Sequence, residues 1–229
     1  MEELTRRVLV FDMDGVLVDV TDSYRATIVE TVRQFIGVEP SREQIQNYKN
    51  RGGWNNDWAL SQRLIADLGG KDIPYATVVE VFQQYFFGVN GREGLVMRER
   101  WIPADGLMAE LASRFDLTIF TGRTLDEAQF TLRRFVPEIT WCEIVADDVV
   151  ARSKPAPDGL LEIAAKHPGS DLLYFGDTVD DARSARAAGV PFVGVAHSGN
   201  PTRAELVALL QSEGAVAIIE NFNEIRGVL

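Results

Sequence analysis

The chain has 229 residues, 46% of them apolar and 25% charged, and a net charge of −11. That length suits one large domain, or a core with an insertion, and the apolar content without low-complexity tracts excludes a disordered chain. The acidic balance argues against a basic nucleic-acid-binding face. No apolar run approaches a membrane span, and the N-terminal MEELTRR lacks the apolar segment of a signal peptide, so a cytoplasmic protein without a membrane partner is expected. Cys142 is the only cysteine, which rules out an intramolecular disulfide; nearby Trp141 and Ile144 predict a buried, unreactive thiol.

In chain order, the first element is the run Val8 to Phe11, apolar on both faces as a central strand of a parallel sheet should be. It stops at Asp12 and Asp14, one residue apart, followed by Gly15. Such sheets bind ligands outside the carboxyl ends of their strands, and two close carboxylates require a shared proton or a cation. After Asp19 the spacing turns helical through Ile28, Val32, Phe35 and Ile36, with Thr21 or Asp22 as N-cap. A second helix is predicted from Ser41 to Tyr48, then a connector, KNRGGWNNDW, over residues 49–58, and further helices over Ala59–Leu68 and Ala76–Phe87. The expected division is a core of residues 1–20 and 101–229 and an all-helical inserted domain of residues 21–100. Residues 20–100 hold ten basic and ten acidic side chains, leaving 13 against 24 in the rest, so the core carries the excess negative charge.

From Pro103 onward helices and strands alternate: strands at Leu117–Phe120, Glu143–Ala146, Leu172–Phe175 and Phe192–Val195, separated by helices at Leu125–Phe135, Asp158–Lys166 and Asp180–Ala188. This alternation predicts an α/β fold with a doubly wound parallel sheet, Rossmann-like, with right-handed crossovers. The segments after the strands carry Thr121-Gly122-Arg123, Ser153-Lys154-Pro155 and Gly176-Asp177-Thr178-Val179-Asp180-Asp181.

In that order, DMDGV, the Thr of FTGR, the Lys of SKPAP and the acidic GDTVDD loop resemble the haloacid dehalogenase superfamily. The likeness is to the subgroup with a helical cap inserted just after the first motif, which includes phosphoglycolate phosphatase and beta-phosphoglucomutase types. The motifs run from Val8 to about Val195; each alone is weak and the combination is specific.

The chemistry can be reasoned from the residues as well. A carboxylate can attack phosphorus to give an aspartyl-phosphate that water then opens; Asp12, first off the strand, is the candidate nucleophile. Asp14, two residues on, is the candidate general acid and base. Mg2+ prefers oxygen ligands and keeps several waters, so Asp12, the backbone carbonyl of Asp14 and Asp177 form a plausible cage, with Asp181 orienting it or ligating directly. Thr121 and the amide of Gly122 can donate to phosphoryl oxygens, and Lys154 supplies fixed positive charge. Arg123 is a candidate for touching substrate and equally a surface arginine at a helix start. The plain alternatives are that Thr121 caps the next helix, that Lys154 is solvated and that Asp177 and Asp181 favour a helix dipole.

By the resemblance, an acid at Asp14 favours phosphate transfer over dehalogenation or phosphonate cleavage. Tyr24 stands where phosphomutases of the subgroup carry His, so the expected activity is a Mg2+-dependent phosphoric monoester hydrolase acting on a small phosphorylated metabolite. A sugar phosphomutase is the runner-up and a non-catalytic phosphate-binding module a third reading. Specificity is expected from the inserted domain, with Lys49, Arg51 and Asn55 as substrate-binding candidates beside Trp54 and Asn56. His167 and His197 are expected to be exposed and structural. Oligomeric state is not legible in the sequence.

Overall fold

The computed structural model describes residues 6–229. The elements, in order, are β1 (Val8–Phe11), β2 (Val18–Asp19), α1 (Tyr24–Ile36), α2 (Arg42–Arg51), α3 (Asp57–Asp67), α4 (Tyr75–Phe87), β3 (Arg100–Trp101), α5 (Leu107–Arg114), β4 (Asp116–Phe120), α6 (Leu125–Phe135), β5 (Ile144–Val145), α7 (Asp158–Lys166), β6 (Leu172–Gly176), α8 (Val179–Ala188), β7 (Phe192–Val195), α9 (Arg203–Ser212) and β8 (Ala217–Ile219). Short 3-10 turns lie at Leu95–Arg98 and Phe222–Gly227. None of the described helices is long and apolar enough to cross a membrane. The chain divides into two compact units, one holding the sequence up to Val18 together with Trp101–Leu229, the other Asp19–Arg100.

The first unit is built on a six-stranded sheet in the order β5-β4-β1-β6-β7-β8, all pairs parallel. This is the expected α/β class. β1 lies inside the sheet because it is apolar on both faces: all four of its residues are fully buried. On one face Val8 and Val10 join Leu160, Ile163, Val179, Ala182 and Leu206 from the crossover helices. On the other, Phe11 meets Phe175 at 5.4 Å, Phe222 at 5.3 Å and Trp141 at 6.5 Å between ring centroids. The chain order reverses around β1, which is flanked by β4 and β6. Crevices at such reversals, at the carboxyl edge, are where open α/β sheets bind ligands.

The second unit packs α1 against α3 and α4. Tyr24, Phe82 and Phe86 form its aromatic centre, with Tyr24 and Phe86 centroids 4.2 Å apart. Ser41 and Gln44 close a capping box at the start of α2. At α1 the expected caps are replaced: Ser23 occupies the N-cap position without a side-chain bond, while the Asp19 carboxylate accepts the Thr21 amide at 3.0 Å in a tight turn before it. The predicted 49–58 connector is shorter than expected. α2 continues through Arg51, and Asn56 caps α3 by accepting the Ala59 amide at 2.9 Å, so only residues 52–56 are irregular. Periodicity could not foresee this, because the α2 extension carries polar residues on every side.

Two surface readings change. Cys142 is exposed, because it sits in the irregular approach to the two-residue β5 rather than within a strand. Its thiol is still pushed up, by partial loss of hydration and by the negative charges of Asp116 and Glu143, which leaves it unactivated. His167 is half-buried, with Nε2 2.7 Å from Glu143, whereas His197 is exposed and accepts the Gly199 amide at 3.0 Å.

Phe222 is fully buried against Phe11 and Phe175 although it belongs to a C-terminal 3-10 turn. Phe222→Ala should cost about 3–5 kcal/mol of stability, the usual cost of emptying an aromatic core site. Urea unfolding followed by tryptophan fluorescence measures it; a loss below about 1 kcal/mol would mean the turn is not part of the cooperative core.

Candidate active site

The sheet register decides which residues meet. Phe11 is level with Ile119 on β4 and with Phe175 on β6, so the residues that follow those strands emerge on one edge. Asp12 leaves β1 with its amide donating to the Phe175 carbonyl at 2.8 Å, and Thr121 leaves β4 with its amide donating to Val145 at 3.0 Å. Asp177 follows Gly176, the last residue of β6.

At the centre stands Lys154, with a side chain only 1% exposed. Its ammonium is 2.9 Å from Asp12 Oδ1 and 2.7 Å from Asp181 Oδ1, donates to the Phe120 carbonyl at 2.9 Å, and lies 4.6 Å above the Phe120 ring centroid and 5.4 Å from that of Tyr174. Burial works against this charge, yet Asp12 and Asp181 raise its pKa above the ordinary lysine value. The solvated-loop alternative for Lys154 does not apply.

The two acids that share Lys154 behave differently. Asp181 is fully buried and accepts from four donors: Lys154 and the Tyr174 hydroxyl on Oδ1, the Thr178 amide and hydroxyl on Oδ2. Burial alone would raise it, but Lys154, Thr178 and Tyr174 hold it below the usual carboxylate range. Asp12 has Lys154 on one oxygen. Burial, helped by the charges of Asp181 and Asp14, pushes it up to about 7 against the pull of Lys154. Asp12 is therefore the acid whose charge is under-compensated.

That deficit favours a cation. Asp12, Asp177 and Asp181 each offer a carboxylate oxygen within 4.8 Å of the others. An all-oxygen donor set with one lysine against several acids fits a hard divalent ion such as Mg2+. Because all four hydrogen bonds to Asp181 come from the protein, its geometry is that of an orienting group. Asp177 is held close to the backbone of Gly15: a Cβ built there would lie 2.1 Å from Asp177 Oδ2, and Gly15 has φ +74°. Only glycine fits both demands.

Tyr174, Thr178, Phe120 and Gly15 were not singled out from the sequence as site residues. Thr178 and Asp181 do have the spacing of a capping box, and the box forms at the start of α8. The Tyr174 hydroxyl carries no sequence signal, since a tyrosine in an apolar strand reads as core. Its pKa is raised well above the ordinary value by burial and by the nearby Asp181 and Asp12, so it remains a donor.

Thr121 is buried, and it does not cap the next helix: Thr124 does, in a capping box with Glu127. Thr121 Oγ1 accepts the Arg123 amide at 3.2 Å, an arrangement that leaves its hydroxyl hydrogen to donate. Gly122 is half-buried beside it. Arg123 is not a surface arginine. Its side chain is 1% exposed and its guanidinium donates from Nε to Asp14 Oδ1 at 2.7 Å, with Nη2 in ion-pair contact with the same oxygen at 2.6 Å. The Asp14 carboxylate itself turns toward Arg123 and is 28% exposed.

In the helical unit, Lys49 is buried on α2. Its ammonium pairs with the Asp57 carboxylate and donates to the Asn55 carbonyl at 3.2 Å. Arg51 is exposed, with its guanidinium 5.1 Å from the Tyr48 ring centroid, and Asn55 is half-buried. Trp54 packs edge-on against Tyr48 at 5.5 Å and Trp58 against Phe82 at 6.5 Å, so both tryptophans serve the packing of this unit.

Residues 6–189 match the haloacid dehalogenase-like hydrolase family. The chain belongs to this family. Among curated relatives it is 34% identical over 198 residues to an imidazoleglycerol-phosphate dehydratase of Phytophthora nicotianae, covering 82% of this chain but 43% of that protein, so the chain spans under half of that relative's length. It is 26% identical over 235 residues to a phosphoglycolate phosphatase of Salmonella typhimurium, covering 96% of this chain and 90% of that one. In fold it resembles the crystal structure of a predicted phosphoglycolate phosphatase from Haemophilus somnus, with a TM-score of 0.75, 17% identity and 99% of each chain covered.

Gly15→Ala places a methyl group against Asp177 and strains the backbone. The variant should fold and bind Mg2+ more than about tenfold more weakly, as supporting-residue changes at metal sites do. Calorimetric titration with Mg2+, with circular dichroism as the folding control, reads this directly; unchanged affinity would remove Asp177 from the metal site.

Proposed function

We propose that this protein is a Mg2+-dependent phosphatase that hydrolyses a small phosphorylated metabolite through an aspartyl-phosphate on Asp12. One observation carries the reading: the strand-end carboxylate Asp12 is held by buried Lys154 on a single oxygen, beside an all-oxygen acidic cluster. Family membership and the phosphatase name of the Salmonella relative support it.

In the proposed reaction an oxygen of Asp12 attacks phosphorus as the bond from phosphorus to the leaving oxygen breaks, and that oxygen takes the proton of the Asp14 carboxyl. A water then attacks phosphorus and gives its proton to the Asp14 carboxylate. The Asp12–phosphorus bond breaks, releasing inorganic phosphate and restoring both acids. Lys154 stabilises the nucleophile and the equatorial phosphoryl oxygens, and Thr121 and the Gly122 amide donate to those oxygens. Mg2+ held by Asp12, the Asp14 carbonyl and Asp177 would supply the positive charge that admits an anionic group to an acidic site.

Residues 21–100 are proposed to act as the cap that selects substrate. Arg51 is an exposed cation of this unit, whereas Lys49 is buried against Asp57. A mutase is the less favoured reading, since Tyr24, packed against Phe82 and Phe86, supplies no imidazole.

Phosphate release should be assayed over small phosphorylated metabolites, with phosphoglycolate among them, with Mg2+ and with chelator. Asp12→Asn and metal removal should each abolish release; Asp12→Asn activity within about tenfold of wild type, roughly 1.4 kcal/mol in the barrier, would remove Asp12 as nucleophile. Arg51→Ala should reorder substrate preference by about tenfold while sparing a minimal aryl phosphate. Equal losses on both would assign Arg51 to structure.

A further inference from the structure

The phosphatase reading assigns a proton carrier, Asp14, but nothing in it explains how a half-exposed carboxylate on a turn keeps one orientation. The pair it makes with Arg123 does. Arg123 Nε and Nη2 converge on a single oxygen, Asp14 Oδ1, at 2.7 and 2.6 Å, while Nη1 donates to Thr131 Oγ1 at 2.7 Å. Thr131 is fully buried on α6, and the backbone of Arg123 is tied by its carbonyl to the Asp147 amide at 2.9 Å and by its own amide to Thr121 Oγ1 at 3.2 Å. The guanidinium is thus fixed from behind. Its planar fork leaves little rotational freedom, and its charge never leaves it.

We propose that Arg123 is a positioning residue that assigns the two oxygens of Asp14, anchoring Oδ1 and leaving Oδ2 as the oxygen that gives and takes the proton. The inference rests on the phosphatase reading and deepens it. Arginine only donates, so an oxygen that already receives the Nε–H of Arg123 and lies 2.6 Å from Nη2 of the same cation has no place for a proton of its own. Asp14 Oδ2 accepts no hydrogen bond among the described residues, and the Asp14 side chain is the exposed member of the pair, 28% against 1% for Arg123. A buried arginine cannot itself meet a substrate of any size. It can act on one only through the carboxylate it holds. The Thr121 link has a further consequence: the Arg123 amide and side chain bind the phosphoryl donor and the proton carrier respectively, so one residue ties both to the start of α6.

A proton carrier matters in proportion to how poor the leaving group is. p-Nitrophenolate departs without help, whereas phenolate gains much from protonation in the transition state. The test compares kcat/KM for p-nitrophenyl phosphate and phenyl phosphate in wild type, Arg123→Met, Arg123→Lys, Asp14→Asn and the Arg123→Met/Asp14→Asn double variant. Thermal unfolding is followed for each. If Arg123 positions Asp14, the ratio of the two kcat/KM values rises by at least about threefold in Arg123→Met and by a similar factor in Asp14→Asn. The double variant then shows no further rise, because the two changes remove one function. Arg123→Lys keeps the charge without the fork; it gives an intermediate rise and remains informative should Arg123→Met fail to fold. A ratio below about threefold in every folded Arg123 variant, with both substrates slowed alike, would overturn the inference and leave Arg123 a structural residue. Asp12→Asn, run in parallel, separates the two failures. Phosphate release that survives it overturns the phosphatase reading and this inference with it, whereas release lost in Asp12→Asn with an unmoved ratio in the Arg123 variants overturns only the inference.

Discussion

The buried ammonium of Lys154 is the charge on which the rest of the site depends. Removed from water, it is tolerable only because Asp12, Asp181 and the Phe120 carbonyl surround it. Those partners lie just after β1, on β4 and at the start of α8, with Tyr174 of β6 beneath, so satisfying one cation ties together the three central strands at their carboxyl edge. The unequal treatment of the two acids follows. Asp181 is saturated by protein donors, which makes it a fixed part of the frame, and the shortfall falls on Asp12, the group that attacks in the proposed reaction. A nucleophile with an under-compensated charge is also one that a cation would complete, so a single electrostatic imbalance prepares both metal binding and reactivity.

The sheet supplies the precision that the electrostatics require. Parallel pairing of β1 with β4 and β6 brings three strand ends level, and the buried faces of β1 leave no freedom to slip by one residue, since that would turn Phe11 and Val10 onto the wrong cores. Gly15 extends this precision past the strand. Its lack of a side chain lets the turn after Asp14 press against Asp177, joining the loops that follow β1 and β6. Arg123 does the same for the loop after β4 by reaching Asp14. Each loop is positioned by contact with another loop, and not by its own strand alone.

Much of this was legible in the sequence, for identifiable reasons. The parallel α/β class follows from the doubly apolar β1 and the strand–helix alternation after Pro103, signals set by burial and therefore written in composition. Cap signals of the form Ser41-x-x-Gln44 and Thr178-x-x-Asp181 are local and equally readable. The contacts between distant loops were not. Arg123 with Asp14, separated by 109 positions, and Tyr174 with Asp181 depend on register and rotamer, for which one sequence has no signal. The same holds for Lys49, whose charge looked available in a polar connector and is spent on Asp57 once α2 extends by a turn.

The distribution of charge then takes on a physical meaning. Residues 20–100 balance ten acids with ten bases, while the sheet-bearing unit carries the acidic excess. In the latter, the cations nearest the proposed chemistry, Lys154 and Arg123, are buried and paired to acids of the site, so neither adds free positive charge to draw in an anion. Attraction of a phosphorylated substrate must come from elsewhere. A bound divalent ion would reverse the local sign at the carboxyl edge, and the helical unit presents the exposed guanidinium of Arg51. In the proposed function the metal would confer affinity for the phosphoryl group that every substrate shares, and the helical unit would discriminate among the groups attached to it. In the proposed reaction an acidic core without its ion would repel the substrate, so metal occupancy would be a condition of binding as well as of the chemical step.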